Sequence, residues 1–336
     1  MTLKKTIKSA QKIRSNTALN TESVTEQAMD SEMPPKRAKT AFSAAADGLI
    51  AAAKSKATKL GYASDMRHWL SNGGSLPANP IQVVEYLAKF AGILSVATLE
   101  RRLIAICQAH REISIESPTR DMAVRSTMQG IRRTHGKRSN QARPILKDDL
   151  LEALIFNDAQ NPIKAARDRA LLLLGFAGAF RRAELVALTV EDIKQVDNGI
   201  EIFIARSKTD QAGEGDIKFI PCANGTRCPV MALAEWLTVA EITEGHIFRA
   251  VSRHDRVSEH PLTPQSVRLV VKSSVARVGG TLENVSAHSL RAGYITAAAM
   301  AGHQIWQIKL VSLHASDTVV AGYIRPVNKR NVPSLL

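Results

Sequence analysis

Long apolar runs are missing from this 336-residue chain. No stretch of about 18 uninterrupted apolar residues occurs and the N-terminus has no apolar core segment, so neither a membrane span nor a signal peptide is expected. Cysteine is scarce. Cys107, Cys222 and Cys228 form an odd set without metal-ligand spacing, which argues against a disulfide framework and for a reduced compartment, with all three structural. Acidic residues are outnumbered: 31 Asp plus Glu face 45 Lys plus Arg, for a net charge of +14. That excess favours a polyanionic partner, nucleic acid first and an anionic membrane surface second. Nor is any carboxylate cluster spaced to hold Mg²⁺. Asp192, Asp197 and Glu201 read as surface acids, so no metal, no cofactor and no two-metal nuclease chemistry is expected.

What is present is enough to build ordinary cores, since 45% of residues are apolar, and the length suits two domains. Residues 1–44 are rich in Lys, Thr, Ser, Ala, Asn and Glu. That composition buries too little to repay its ordering entropy, so a disordered basic arm is expected. Its PPKRAK cluster at 34–39 is a solvated tail, a phosphate contact or, in a eukaryote, a nuclear import signal.

Residues 45–130 carry successive helical patterns broken by Gly and Pro, which predicts a small helical bundle. Ile81, Val84, Leu87 and Ala88 share one stripe. Leu99, Leu103, Ile106 and Cys107 share another, which leaves Arg101, Arg102 and Arg111 on a basic outer face suited to duplex phosphates. Residues 131–145 read as a linker, with Arg132, Arg133, Lys137, Arg138 and Arg143 and few apolar residues. It is either a string of phosphate contacts or a plain interdomain connector.

Residues 146–336 form the second domain. Helices are expected over 147–156 and 164–177. Ile200, Ile202 and Ile204 then alternate with polar residues, and a second strand over 217–221 completes a β-hairpin. Lys208 falls at the end of its first strand or in its turn. A helix over 229–239 follows, and the rest reads as helical as far as Tyr323. The fold class is therefore mainly α with a small β-hairpin, α+β overall.

Two stretches carry chemistry. In GAFRRAELVALTVEDI, Arg181 and Glu184 stand one turn apart at the start of a helix, with Arg182 the alternative cation. In SAHSLRAGYITAAAMAGHQIWQIKLVSLHASDTVVAGY, His288, Arg291, His314 and Tyr323 offer an acid/base, a cation, a neutral donor and a nucleophile. Each has an ordinary structural reading too, Tyr323 among Val319, Val320 and Ile324 as a core tyrosine and Arg181 as a partner of Glu184.

Taken together, R-R-A-E-L, R-S-K-T around Lys208, His-x-x-Arg, a further His and Tyr nine residues after it resemble the tyrosine recombinase (phage integrase) family. The resemblance extends upstream, where TLERRLIAICQAHRE and VRSTMQGIRRTHGKRSNQARPIL look like that family's core-binding domain and linker. It implies a helical N-terminal core-binding domain and a mixed catalytic domain. It implies a site-specific recombinase that cuts and rejoins double-stranded DNA through a 3′-phosphotyrosine, assembling as a homo-tetramer on DNA, in the bacterial cytoplasm or a eukaryotic nucleus. It selects Arg181 over Arg182. It further implies Tyr323 as nucleophile, His288 as its base, Lys208 as general acid, Arg181 and Arg291 as phosphate clamp, His314 as donor to a phosphate oxygen, and Glu184 as orienter of Arg181 or His288. Supercoil relaxation of the type IB topoisomerase kind and a catalytically silent DNA binder are the rival readings. Two departures stand out. Ser312-Leu313-His314 replaces the family's frequent Leu-Gly-His, and only 13 residues follow Tyr323, which puts the docking of neighbouring protomers in question.

Overall fold

A computed structural model describes residues 43–137, 142–157, 161–205 and 215–328. They fall into two compact units that divide between Gly136 and Lys137. The first unit is a bundle of α1 (Ala44–Ala52), α2 (Lys56–Ser71), α3 (Pro80–Phe90), α4 (Val96–Glu112) and α5 (Met122–His135). Each helix begins on a polar cap. Ser43, Ser55, Asn79, Ser95 and Asp121 accept from the first-turn backbone, and Asn79 and Gln82 complete a reciprocal capping box ahead of Pro80.

Trp69, Val83, Tyr86, Leu87, Leu99, Ile106, Val124, Met128 and Ile131 form this unit's core. The expected stripe of α3 is rotated: Val83, Tyr86 and Leu87 point inward while Ile81 is 72% exposed. The ring of Tyr86 meets Trp69 at 5.0 Å between centroids, so aromatic packing sets the phase of the helix. The outer face of α4 also differs. Arg102 is only 8% exposed; its Nη1 donates to Tyr86 Oη at 2.8 Å and it faces Asp65, so it is not available on a basic surface. Arg101 keeps an open side but is held by Asp65 through two bonds of 2.7 and 2.8 Å. The expected linker starts later than residue 131. Helix α5 runs through Arg132 and Arg133 to His135, anchored by the buried Ile131.

The second unit contains α6 (Lys147–Asn157), α7 (Pro162–Ala177), α8 (Arg182–Ala187), β1 (Ile193–Val196), β2 (Gly199–Ile204), β3 (Asp216–Pro221), α9 (Pro229–Val239), β4 (Arg249–Val251), β5 (Val257–Pro261), α10 (Pro264–Arg277), α11 (His288–Met300), α12 (Ile305–Ser312) and α13 (Asp317–Asn328). The expected hairpin is β2–β3, with Ile200 opposite Ile220 and Ile202 opposite Lys218. β1 adds a third antiparallel strand on its other edge. Residues 249–261, read as helical from the sequence, instead form the antiparallel ribbon β4–β5. Its turn has a purpose. The carboxylate of Asp255 accepts from Ile163 N and Lys164 N at 3.0 and 3.1 Å, capping α7, whose own Asn161 makes no side-chain cap bond.

Leu171, Leu172, Leu173 and Leu174 of α7, Trp236 of α9, Phe248 and the inward isoleucines of β2 belong to the main core. A separate cluster of Ile295, Ala298, Ile308, Val320 and Ile324 seats α13 against α11 and α12. That satellite core decides where Tyr323 sits. Gly293 allows the extended backbone around Ile145 to lie directly on α11, because a Cβ there would stand 1.8 Å from Ile145 O. Among the described residues no helix is long and apolar enough to cross a membrane.

Candidate active site

Helix α7 ends at a tight corner, Gly178-Ala179-Phe180. A Cβ on Gly178 would come within 2.2 Å of the Phe180 ring, and Ala179 takes the left-handed region at φ 47°. The corner delivers Arg181 as the N-cap of α8, where its backbone N donates to Glu184 Oε2 at 2.9 Å and its Nη1 to Glu184 Oε1 at 2.6 Å. Glu184 is buried, and its carboxylate oxygens accept from Arg181. Arg182, the alternative cation, is exposed, and its charge is the smallest of the influences that lower the pKa of His288.

Helix α11 supplies His288 at its first turn and Arg291 one turn on. Arg291 is fully buried; its Nη1 donates to Ala179 O at 2.7 Å and its Nη2 lies 3.1 Å from the ring nitrogens of His314. Its Nε has no hydrogen-bond partner among the described residues. Burial first, and then the nearby Arg181, draw its pKa down to about 10, which leaves it cationic at neutral pH. A guanidinium held by neutral acceptors, with one N–H unspent, suits a further anion.

His314 follows the C-terminus of α12. Leu313 takes the left-handed conformation, φ 51° and ψ 46°, so a leucine adopts the turn that a glycine would make without strain. His314 Nδ1 lies 2.9 Å from Ser312 Oγ. Burial and the adjacent Arg291 push its pKa down to about 3, and it is neutral at any working pH. On α13, Tyr323 Oη lies 2.9 Å from His288 Nε2. Partial burial raises the phenol's pKa while Arg291 and Arg181 pull it back. The same burial and guanidiniums lower the pKa of His288, which keeps its imidazole neutral and able to accept a proton.

The structure thus gathers Arg181, Glu184, His288, Arg291, His314 and Tyr323 into one cluster. Lys208 lies outside the described residues. Sequence reasoning missed Lys218, buried on β3 among these groups. Its Nζ donates to Gly178 O at 2.8 Å and Val311 O at 2.5 Å. Burial draws its pKa down to about 7, with the Arg291 and Arg181 charges adding to this and Glu184 opposing it. No local signal marks it, since its face is set by the β2–β3 register. A residue directly opposite inward-facing Ile202 must share its face.

Of the residues expected to touch DNA, Arg132 is paired with Glu100 at 2.7 Å, and Arg133 and Lys137 are exposed. Arg138 is outside the described residues. Arg143 spends its backbone N on Asn284 O at 3.0 Å and its Nη1 on Thr281 O at 3.1 Å.

Residues 144–330 match the model of the phage integrase family. Over 272 residues the chain is 37% identical to an integrase/recombinase xerD homolog of Selenomonas ruminantium, covering 79% of each protein. Its fold resembles that of XerH site-specific recombinase bound to palindromic difH substrate in a post-cleavage complex, at 18% identity and a TM-score of 0.58 over 80% of this chain and 75% of that one. It also resembles a lambda integrase dimer bound to a COC′ core site, at 16% identity and a TM-score of 0.61 over 86% of this chain and 77% of that one. The chain belongs to the phage integrase family.

Proposed function

We propose that this protein is a site-specific DNA recombinase, a strand transferase that needs neither ATP nor metal and uses Tyr323 as its nucleophile. The observation that carries the reading is the 2.9 Å contact between Tyr323 Oη and His288 Nε2 beside the two guanidiniums of Arg181 and Arg291. A phenol of pKa about 10 attacks poorly at neutral pH unless charge at the phosphate stabilises the developing phenolate. Neutral His288 accepts the phenolic proton as Tyr323 Oη bonds to phosphorus. The bond to the 5′ oxygen breaks, and Lys208 protonates the departing oxygen. The 5′ hydroxyl of a second strand then attacks the 3′-phosphotyrosine, which restores a phosphodiester and frees the tyrosine. Arg181 and Arg291 hold the two non-bridging oxygens, assisted by a hydrogen bond from His314.

Double-stranded DNA is the partner, and we infer that four protomers assemble on two sites, in the compartment that holds the DNA, the cytoplasm of a bacterial host. A nicked suicide substrate tests the chemistry. Wild-type protein is expected to form an adduct stable on denaturing gels, joined to the 3′ phosphate, while Tyr323→Phe binds DNA and forms none. An adduct in Tyr323→Phe, or cleavage abolished by EDTA, overturns the assignment.

A further inference from the structure

Lys218 stands in β3 opposite Ile202 and is 1% exposed. Three acceptors surround its Nζ: Gly178 O at 2.8 Å, Val311 O at 2.5 Å, and the face of Phe180, whose centroid is 5.0 Å away. Gly178 is the C-cap of α7, and Val311 sits in the last turn of α12. Carbonyls at helix ends have no partner within their own helix, and buried without one they cost free energy. Lys218 satisfies both. The segments it joins are those that present the phosphate-facing groups. Gly178 begins the corner that delivers Arg181 and offers Ala179 O to Arg291, and Val311 precedes the left-handed Leu313 that turns out His314.

We propose that Lys218 is a positioning residue, a buried ammonium that pins the α7–α8 corner to the end of α12 and so fixes Arg181, Arg291 and His314 around a single phosphate. The inference rests on the reading of the site as a phosphodiester-cleaving centre. Lys218 does not duplicate Lys208, because it is 1% exposed and its Nζ is turned to two backbone carbonyls and the face of Phe180. The charge matters as much as the reach. Glu184 is occupied by Arg181, so the amine is held by neutral acceptors, and in its protonated form it adds to the positive field that a phosphate meets.

The test uses the full chain and two suicide substrates, one with the natural 5′ oxygen at the scissile phosphate and one with a bridging sulfur, whose departure needs no proton. Lys218→Met is expected to bind DNA as wild type does and to lose roughly 100-fold in adduct formation on both substrates. Lys218→Arg, which keeps a charge and donors, is expected to stay within roughly tenfold of wild type on both. Should Lys218→Met fail to fold, as judged by circular dichroism, Lys218→Arg carries the test alone. A rate unchanged in Lys218→Met, a loss beyond tenfold in Lys218→Arg, or rescue of either variant by sulfur overturns the proposal, the last by making Lys218 the proton donor. Failure of the underlying reading shows separately, as an adduct that persists in Tyr323→Phe.

Discussion

The two units each contain a histidine, a tyrosine, an arginine and a carboxylate in contact, and the two sets differ in exposure and in the charge around the tyrosine. In the bundle, His68 Nδ1 lies 3.0 Å from Tyr86 Oη, Arg102 donates to the same oxygen at 2.8 Å, and buried Asp65 takes both Arg101 and Arg102. In the second unit, His288 Nε2 lies 2.9 Å from Tyr323 Oη, and Glu184 takes Arg181 while Arg291, among the described residues, bonds to a carbonyl and an imidazole. One carboxylate against two guanidiniums is the common arithmetic. The difference is what else is near. Each set has one buried guanidinium Nε without a hydrogen-bond partner among the described residues, on Arg102 and on Arg291, but Tyr86 is buried with both oxygen contacts spent inside the protein, whereas Tyr323 is half-buried and the site around it adds Lys218. Residue types therefore do not define a catalytic centre. Charge left uncompensated beside an accessible hydroxyl does.

The largest test of that contrast is Asp65→Asn. It removes the carboxylate from a buried pair and leaves Arg102 with an uncompensated charge, a change that costs about 3–5 kcal/mol. Denaturant unfolding followed in the bundle should report that loss. A cost below about 1 kcal/mol would mean water already screens the cluster, and the two sets would differ less than their geometry suggests.

The corresponding change in the second unit acts on rate. Arg181→Ala is expected to slow adduct formation by about 2.7–4 kcal/mol in activation free energy, the loss typical of removing one preorganised donor to a developing charge. It also exposes the incoming phosphate to the bare carboxylate of Glu184. Adding Glu184→Gln, which still accepts the Arg181-position backbone N–H at the start of α8, should recover part of the loss in a double-mutant cycle. Strict additivity would show that Glu184 is not felt by the phosphate.

A smaller effect separates the two histidines by pH. His288 and His68 both have pKa values lowered first by burial and then by an arginine, Arg291 and Arg102 respectively. His288 must be neutral to accept the proton of Tyr323, so the cleavage rate should rise as pH climbs through its lowered pKa, below the usual 6.5. His288→Gln should remove that acid limb and cost roughly 100-fold. His68→Gln should leave the limb in place. A limb that survives His288→Gln would assign the base elsewhere.

How much of this was legible in the sequence depended on the range of the interactions. Arg181 with Glu184, and His288 with Arg291, lie one helical turn apart, so local spacing was enough to bring each pair to one face. Lys218 was hidden by its own strand. In DIKFIP the apolar Ile217 and Phe219 invite the core, yet both are exposed and Lys218 and Ile220 point in, because the register with β2 fixes the face and register is a long-range property. The ribbon β4–β5 was misread for a similar reason. Its turn is held where Asp255 caps α7, about 90 residues away in sequence, and nothing local announces that bond. Arg102 looked outward from its charge alone, while the buried Asp65 that draws it in sits on another helix. Lys208, taken from its R-S-K-T context, lies outside the described residues.

The smallest expected effect concerns the basic residues that neither set uses. Arg133 and Lys137 are exposed, while Arg132 and Arg143 are already engaged by Glu100 and by Thr281 O. If DNA affinity draws on free surface cations, Arg133→Glu with Lys137→Glu should flatten the slope of log K against log salt by about 0.9 for each phosphate contact removed, equally for specific and random duplexes. Arg132→Glu alone should change the slope less, since its charge is shared with Glu100 and an exposed pair of that kind is worth at most about 1 kcal/mol. The measurement is a salt titration of binding by fluorescence anisotropy, with Tyr323→Phe as the parent so that cleavage does not intrude. An unchanged slope in the double variant would make this stretch a connector. A larger change from Arg132 than from Arg133 and Lys137 together would mean that DNA breaks the Glu100 pair, so that a charge compensated in the free protein is recruited on binding and the line between paired and free cations shifts with the ligand.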